Sequence, residues 1–175
     1  MFFLQMSGFP GAGKSTLARK IAASTGSIVL DHDIVKTAMI EALNEKGMDS
    51  KEMGQVSYSI EWALVDFHLS QGHSVILDSP CFYVEGVEKG LSLSKKHNVK
   101  YKYVECYLND VNEIDRRLHQ RKRMISQIEK VVSKDAFHHW VNNSKKPSDV
   151  KCLVVDTKKP LESYIHKVVD YLNEP

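Results

Sequence analysis

The sequence predicts an α/β fold in which a five-stranded parallel sheet is covered on both faces by helices. Three observations predict it. Five short apolar runs alternate with longer stretches of helical periodicity. The second run, "SIVLD", is apolar without alternation, as in a strand enclosed on both sides. The residues with chemistry to offer (8–16, Asp31, Asp33, Asp78 and Asp156) all follow such runs, where parallel sheets gather ligands. A chain of 175 residues suits a single domain with one core, and its crossovers should be right-handed.

The elements follow in order. "FFLQMS", residues 2–7, is the first strand. The next helix begins near Lys14 and runs to about Ser24, with Leu17, Ala18, Ile21 and Ala22 facing inward and Gly26 as its stop. Residues 27–31 form the second strand. Residues 33–47 read as a helix, Asp33 placed to cap its start and Gly47 to end it. A long helix spans about 51–71. Met53, Val56, Ile60, Ala63 and Phe67 make one stripe on it, and Tyr58, Trp62, Val65 and Leu69 another. Two stripes describe a helix largely enclosed, or one with a side lining a pocket; core packing is the expectation.

"HSVILD", residues 73–78, is the third strand. Ser79-Pro80 turns the chain, and Val84, Val87 and Leu91 mark a helix. Residues 99–108 form the fourth strand. Asp110 and Glu113 make a capping-box-like start, with Asp in place of Ser or Thr. Residues 124–144 are helical in pattern but weakly anchored, and "NNSKKPSD" is a polar linker. Residues 150–156 form the fifth strand. Pro160 opens the last helix, with Leu161, Ile165, Val168 and Leu172 as its buried stripe. No internal repeat is present. One domain over 1–175, with a mobile lid at about 116–145, accounts for the whole pattern.

Composition narrows the class. At 42% hydrophobic and 26% charged the chain is not a disordered one. A net charge of +2 is too small to argue for nucleic acid by itself. Cys81, Cys106 and Cys152 offer neither a disulfide framework nor a metal pair, and they read as buried, reduced thiols of an intracellular protein. No apolar run approaches a membrane span, and "MFFLQM" lacks the parts of a signal peptide. The expectation is a soluble, cytoplasmic protein.

The first loop carries the specific signal. Gly8-Phe9-Pro10-Gly11-Ala12-Gly13-Lys14-Ser15 satisfies G-x-x-x-x-G-K-[ST], the Walker A or P-loop pattern, with a strand before it and a helix after it. Gly11 and Gly13 let backbone N–H groups turn toward one anion, and the helix start adds its positive end. Lys14 can reach the β- and γ-phosphates, Ser15 offers its hydroxyl to Mg²⁺, and Thr16 offers one to a nearer phosphate. The length leaves little room for a motor's additional domain, and no guanine-type NKxD motif is present. A kinase remains. It needs an acid at the acceptor and a basic element over the phosphates.

"LDHDIVK" supplies acids. Asp31 and Asp33 bracket the second strand's end, and Asp33 is the stronger candidate for accepting or orienting the acceptor hydroxyl. It also suits an N-cap, and the two roles are compatible. His32 reads as a surface residue without a partner. Lys36 holds an anionic part of the substrate or is solvated helix surface. Asp78 ends a strand and suits Mg²⁺ through water, or a turn. Arg116, Arg117, Arg121, Lys122 and Arg123 crowd after the fourth strand. Arg117 and Arg121 share a helix face and suit a lid over the phosphoryl group. A solvated basic helix end and a nucleic-acid contact are the other two readings. His138 and His139 are adjacent, a spacing that does not converge on a metal.

On "GFPGAGKST", "DHDIVK", "VILDSP", "RRLHQR" and "VVDTKKP", spread over nearly the whole chain, the sequence resembles the small P-loop kinases. The likeness is to the AAA_33-type group with zeta toxins, chloramphenicol phosphotransferase and polynucleotide 5′-hydroxyl kinase domains. The resemblance implies a three-layer P-loop NTPase fold with strand order 2-3-1-4-5 and a helical lid. It implies that Asp33 acts on the acceptor hydroxyl, that Arg117 and Arg121 are lid arginines, and that the loop from Asp156 to Lys159, with Thr157, lies by the adenine. Polynucleotide-acting members often carry Arg three residues after the acid. Lys36 stands there in this chain, keeping the charge without the bidentate fork.

The expected activity is therefore ATP- and Mg²⁺-dependent phosphoryl transfer to a hydroxyl of a small molecule or nucleotide-like acceptor, with nucleic acid not favoured and no membrane partner. The catalytic set is Lys14, Asp33, Arg117 and Arg121. The nucleotide set is Gly8, Gly11, Ala12, Gly13, Lys14, Ser15, Thr16, Arg117 and Thr157, with Ser15 and Asp78 on the metal. The alternatives are an ATP-binding regulatory NTPase acting on a partner protein, and a polynucleotide 5′-hydroxyl kinase or zeta-toxin-like enzyme.

Overall fold

The computed structural model describes residues 1–43 and 50–174. Strands β1 (Phe2–Ser7), β2 (Ile28–Asp31), β3 (Val75–Asp78), β4 (Lys100–Tyr107) and β5 (Cys152–Asp156) form one parallel sheet. Their order is β2-β3-β1-β4-β5. The apolar first strand takes the centre, and Phe3, Leu4 and Met6 are fully enclosed there. Residues 28–31 are covered on both faces as expected, Val29 packing into the cluster of Leu17 and Ile21 and Leu30 into that of Val65 and Leu69, but β2 is an edge strand and so half-buried throughout. An apolar run reports helices on both faces of a strand. It carries no information about a neighbour in the sheet plane.

The pleat sorts side chains between two helical layers. Leu4 and Met6 face α1 (Lys14–Thr25) and α7 (Ile165–Asn173), packing with Leu17, Ile21, Val168 and Leu172. Phe3 faces the other way, onto Val65 and Leu69 of α3 (Ser50–Ser70) and Leu93 of α4 (Val84–Lys96). On the same side, buried Gln5 is satisfied by the Tyr101 hydroxyl at 2.7 Å and by a contact with the Cys81 thiol at 3.2 Å. Gly26 ends α1, its N–H donating to the Ala22 carbonyl at 2.8 Å. The helix α2 (His32–Leu43) starts one residue earlier than expected. The stop expected at Gly47 lies outside the described residues.

Two expectations about helices are overturned. On α3 the inward face is Met53, Ser57, Glu61, Val65 and Leu69, at the i, i+4 spacing of one helix side. Of the first apolar stripe only Met53 is buried; Val56, Ile60 and Phe67 are exposed. Helical spacing admitted both stripes, and the polar Ser57 and Glu61 hid the one that packs. The second correction concerns 124–144. Helix α5 (Val111–Gln120) ends where Arg121 takes an extended backbone, with φ −83° and ψ 149°. Residues 121–133 carry no helix, and only α6 (Lys134–Asn142) fulfils the helical pattern. In the irregular stretch the Met124 N–H bonds the Gln127 side chain at 3.1 Å, a local bond that competes with helix.

The polar linker after α6 is pinned to β4. Ser144 Oγ donates to Glu105 Oε1 at 2.6 Å, Lys146 pairs with Glu105 Oε2 at 2.6 Å, and the Tyr103 hydroxyl donates to the Lys145 carbonyl. Pro160 precedes a short 3-10 turn (Leu161–Ser163), and α7 follows. Among the described residues no helix is long and apolar enough to cross a membrane.

Candidate active site

The site lies at the C-terminal ends of the strands, in a cleft of about 1460 Å³. The loop after β1 forms its floor. Gly8 has φ +133°, and a Cβ there would stand 2.4 Å from the Cys106 carbonyl oxygen, so neither the torsion nor the space admits another residue. Gly13 has φ +91° and caps α1 without a side chain; no acid occupies the first turn of α1. The helix therefore presents unpaired N–H groups and a positive end. Lys14 is 8% exposed and folds back, Nζ donating to the Gly8 carbonyl at 2.9 Å.

Gly11, Gly13, Lys14, Ser15 and Thr16 all line the cleft. Gly8 and Ala12 shape the loop from behind. The Ala12 N–H closes onto the Phe9 carbonyl at 2.9 Å and its methyl is fully buried.

Pairing of β2 with β3 sets Asp31 beside Asp78. Asp78 is 4% exposed. Burial pushes its carboxyl up from the ordinary range, while Lys14 and a hydrogen bond from the Ser15 side chain pull it down. Its Oδ2 is buried without a partner among the described residues. Asp31 is raised by burial and by repulsion from Asp78 and Asp33. Its Oδ1 accepts the Asp33 N–H at 3.0 Å, so Asp31, not Asp33, performs the capping that sequence spacing assigned to Asp33. Asp33 is thereby free of that task. Its Oδ2 accepts instead from Gln127 Nε2 at 2.7 Å.

His32 corrects another expectation. It is 7% exposed, not a surface residue. Its Nδ1 lies 2.7 Å from Glu61 Oε1, and its ring stacks on Tyr58 at 4.5 Å between centroids. Burial raises Glu61, with His32 opposing, and burial pushes the Tyr58 phenol up to about 12. The Ser79 hydroxyl reaches the Tyr58 oxygen at 3.3 Å. Sequence reasoning missed Glu61, Ser79 and Gln127 as site residues. The one available signal was an acid at position 61, four residues from Ser57 and Val65 on what proves to be the packed face.

Arg117 and Arg121 both line the cleft. Arg117 donates from Nε to Glu113 Oε1 and from Nη2 to the Thr157 carbonyl, both at 2.7 Å. Its Nη1 lies 3.9 Å from where a Gly13 Cβ would stand, which sets it over the loop. Arg116 and Arg117 hold the Glu113 carboxyl down at about 2. Arg116 is thus tied on the exposed side of α5. Asp110 caps α5, accepting the Glu113 N–H at 3.2 Å, but Glu113 holds arginines and does not return the bond. Arg121 leaves the helix face expected for it. Its Nη2 donates to the Ile128 carbonyl at 2.8 Å, and its Nε is buried with no partner among the described residues. Burial lowers its pKa and Asp33 raises it. Thr157 is buried at the cleft wall, its N–H bonded to the Tyr107 carbonyl at 3.0 Å. Lys36 lines the opposite wall. Among the described residues no three His, Cys, Asp or Glu converge as a metal cluster.

The AAA_33 family model, an AAA domain, matches residues 4–147. The chain belongs to the AAA_33 family. The match takes in every site residue above except Thr157. Solved structures agree in fold at low identity. A candidate kinase from Chloroflexus aurantiacus aligns with TM-score 0.74 and 21% identity over 98% of each chain. A sugar kinase from Janibacter sp. HTCC2649 gives 0.68 and 17%, over 98% of this AAA_33 protein and 94% of that chain. Kti12 of Chaetomium thermophilum, solved with ADP-AlF3, gives 0.66 and 15%, over 98% and 100%. Comparison with curated protein sequences returned no match. The AAA_33 protein thus has the P-loop kinase fold, sheet order included.

Proposed function

We propose that this protein is an ATP- and Mg²⁺-dependent kinase that transfers the γ-phosphoryl group to a hydroxyl of a small-molecule or nucleotide-like acceptor. One observation carries the reading. A single cleft joins the phosphate loop to residues with two buried, unpartnered groups of opposite sign, Asp78 Oδ2 and Arg121 Nε. Orphaned buried polar atoms are costly and rare in native proteins. A metal–nucleotide complex supplies a partner of the right charge to each. Ser15 and Asp78 fit Mg²⁺ as hard oxygen donors that both line the cleft. When bound, the ion would neutralise charge on the phosphates.

Lys14 and the loop N–H groups bind the β- and γ-phosphates. Arg117 and Arg121 stabilise the charge spread over the transferring group and exclude water. Asp33 orients the acceptor hydroxyl and takes its proton. A bond forms from the acceptor oxygen to the γ-phosphorus as the bond from that phosphorus to the bridging oxygen breaks, and ADP leaves with that electron pair. Residues 116–145 act as the lid. The Ser126 and Thr37 hydroxyls meet at 2.8 Å, a contact of this segment with α2. The free thiols of Cys81, Cys106 and Cys152 suit the cytoplasm.

The test is an ADP-release screen with ATP over a panel of hydroxyl acceptors, a 5′-hydroxyl oligonucleotide among them. Asp33→Asn should keep ATP affinity and lose transfer by about a hundredfold or more. Unimpaired transfer would reject Asp33 as the essential acid–base group. ATP hydrolysis with no acceptor in the panel would point to the regulatory NTPase instead.

A further inference from the structure

The stretch between α5 and α6 makes a specific clasp on the start of α2. Gln127 Nε2 donates to Asp33 Oδ2 at 2.7 Å, while its Oε1 accepts the Met124 N–H at 3.1 Å. The second bond orients the first. With a backbone N–H on its oxygen, the amide has only its nitrogen to offer the carboxylate. Ser126 Oγ donates to the Asp33 carbonyl at 3.0 Å and meets Thr37 Oγ1 at 2.8 Å. The same turn binds the arginine. Its Ile128 carbonyl accepts from Arg121 Nη2 at 2.8 Å, and its Gln127 carbonyl accepts from Arg123 Nη1 at 3.3 Å. Asp33 Oδ1 has no hydrogen bond among the described residues.

We propose that Gln127 is a positioning residue for Asp33. It holds one carboxylate oxygen and leaves the other for the acceptor hydroxyl, and it does so only while residues 121–133 lie against α2. The catalytic role of the bond rests on the kinase reading above. Two functional groups are then set by one event, because the turn that orients Asp33 also seats Arg121. An open segment leaves the carboxylate free to rotate and the arginine unplaced, so the conformation that can deprotonate an acceptor is the one that can stabilise the phosphoryl group. This coupling disfavours transfer to water in the open state.

The experiment uses the full chain and two readouts. Steady-state kinetics with the acceptor found by the screen give the first. Gln127→Ala should lower kcat about tenfold, the scale of one hydrogen bond to a charged group, and leave the KM for ATP within about twofold. Thr37→Val removes a bond of the same clasp that does not touch the carboxylate, and its kcat loss should be clearly smaller. Equal losses, or an unchanged kcat in Gln127→Ala, would overturn the proposal.

The second readout needs no activity. Trypsin should cut after Arg121, Lys122 and Arg123 about tenfold faster in Gln127→Ala, because local opening sets the rate. In an Asp33→Ala background that acceleration should vanish. Additive effects in this cycle would break the Gln127–Asp33 link. If the unaltered protein phosphorylates no acceptor, the kinase reading fails separately. The proteolysis cycle alone then decides whether Gln127 ties the segment to Asp33.

Discussion

The two sides of the cleft are built differently. The phosphate side grows from the central strands β1 and β3 and from one contiguous loop, with Lys14 and Asp78 nearly enclosed. The side proposed for the acceptor grows from the end of the edge strand β2, the first turn of α2 and an irregular stretch some ninety residues later in the chain. On the first side the backbone shapes the loop, and the core behind it fixes the backbone. On the second, side chains hold one another: Asp31 caps Asp33, Gln127 bonds Asp33, Glu61 holds His32. A backbone site pinned to the sheet resists adjustment. A side-chain site at an edge can be retuned by single substitutions, and the acceptor is the component that such a kinase must distinguish.

The contrast can be broken experimentally, beginning with the largest effect. Lys14→Ala should lower phosphoryl transfer by roughly a thousandfold through loss of phosphate charge stabilisation, with an unchanged far-ultraviolet circular dichroism spectrum. Normal transfer in a folded variant would end the phosphate reading of the loop. Gly8→Ala tests the rigidity of the same side. It should cost about 3 kcal/mol in urea unfolding, from the positive torsion and the contact with the Cys106 carbonyl.

His32→Ala tests the other side. It leaves a buried carboxylate without its partner and should also cost about 3 kcal/mol near neutral pH. The sign of its pH dependence follows from Glu61, whose folded pKa is raised above the ordinary 4.5 by burial. A raised acid stabilises the fold when protonated, and that stability is lost as pH rises from 4.5 through the folded value. In His32→Ala the folded value rises further. Melting temperatures of the variant should therefore fall more steeply than those of the unaltered protein above pH 4.5, and adding Glu61→Gln should flatten the slope. Equal slopes in all three proteins would show that Glu61 does not titrate between the two states. The smallest effect is expected outside both sides. Phe67→Ser on the exposed stripe of α3 should change unfolding free energy by no more than about 0.5 kcal/mol, and a larger loss would mean that the stripe is covered.

Much of the phosphate side was legible. A strand, a glycine-rich turn and a helix start are neighbours in sequence as they are in space, so local rules reached Gly11, Gly13, Lys14, Ser15 and Thr16. Asp78 was reached because strand ends converge in a parallel sheet, and Thr157 only through the resemblance to small P-loop kinases. The acceptor side was legible only where it touched a strand end, at Asp31 and Asp33. His32 looked like surface because its partner, Glu61, is 29 residues away on another helix. Gln127 gave no signal, since a lone Gln in a basic, polar stretch has no periodicity to betray a partner. The stripe of Val56, Ile60, Ala63 and Phe67 misled because helical spacing shows which residues share a side, not which side meets the sheet.

The sequence alone determined the alternation of strands and helices, the parallel sheet with its site at the strand ends, and the phosphate loop. Those follow from torsional preference, side-chain period and short-range contact, which act within a few residues. Only the tertiary structure decided that β2 is an edge, that Asp31 caps so that Asp33 need not, that Glu61 lies under His32, and that Gln127 bonds Asp33 while Arg121 bonds the Ile128 carbonyl. These depend on which of several chemically suitable partners packing brings within about 3 Å, the reach of a hydrogen bond.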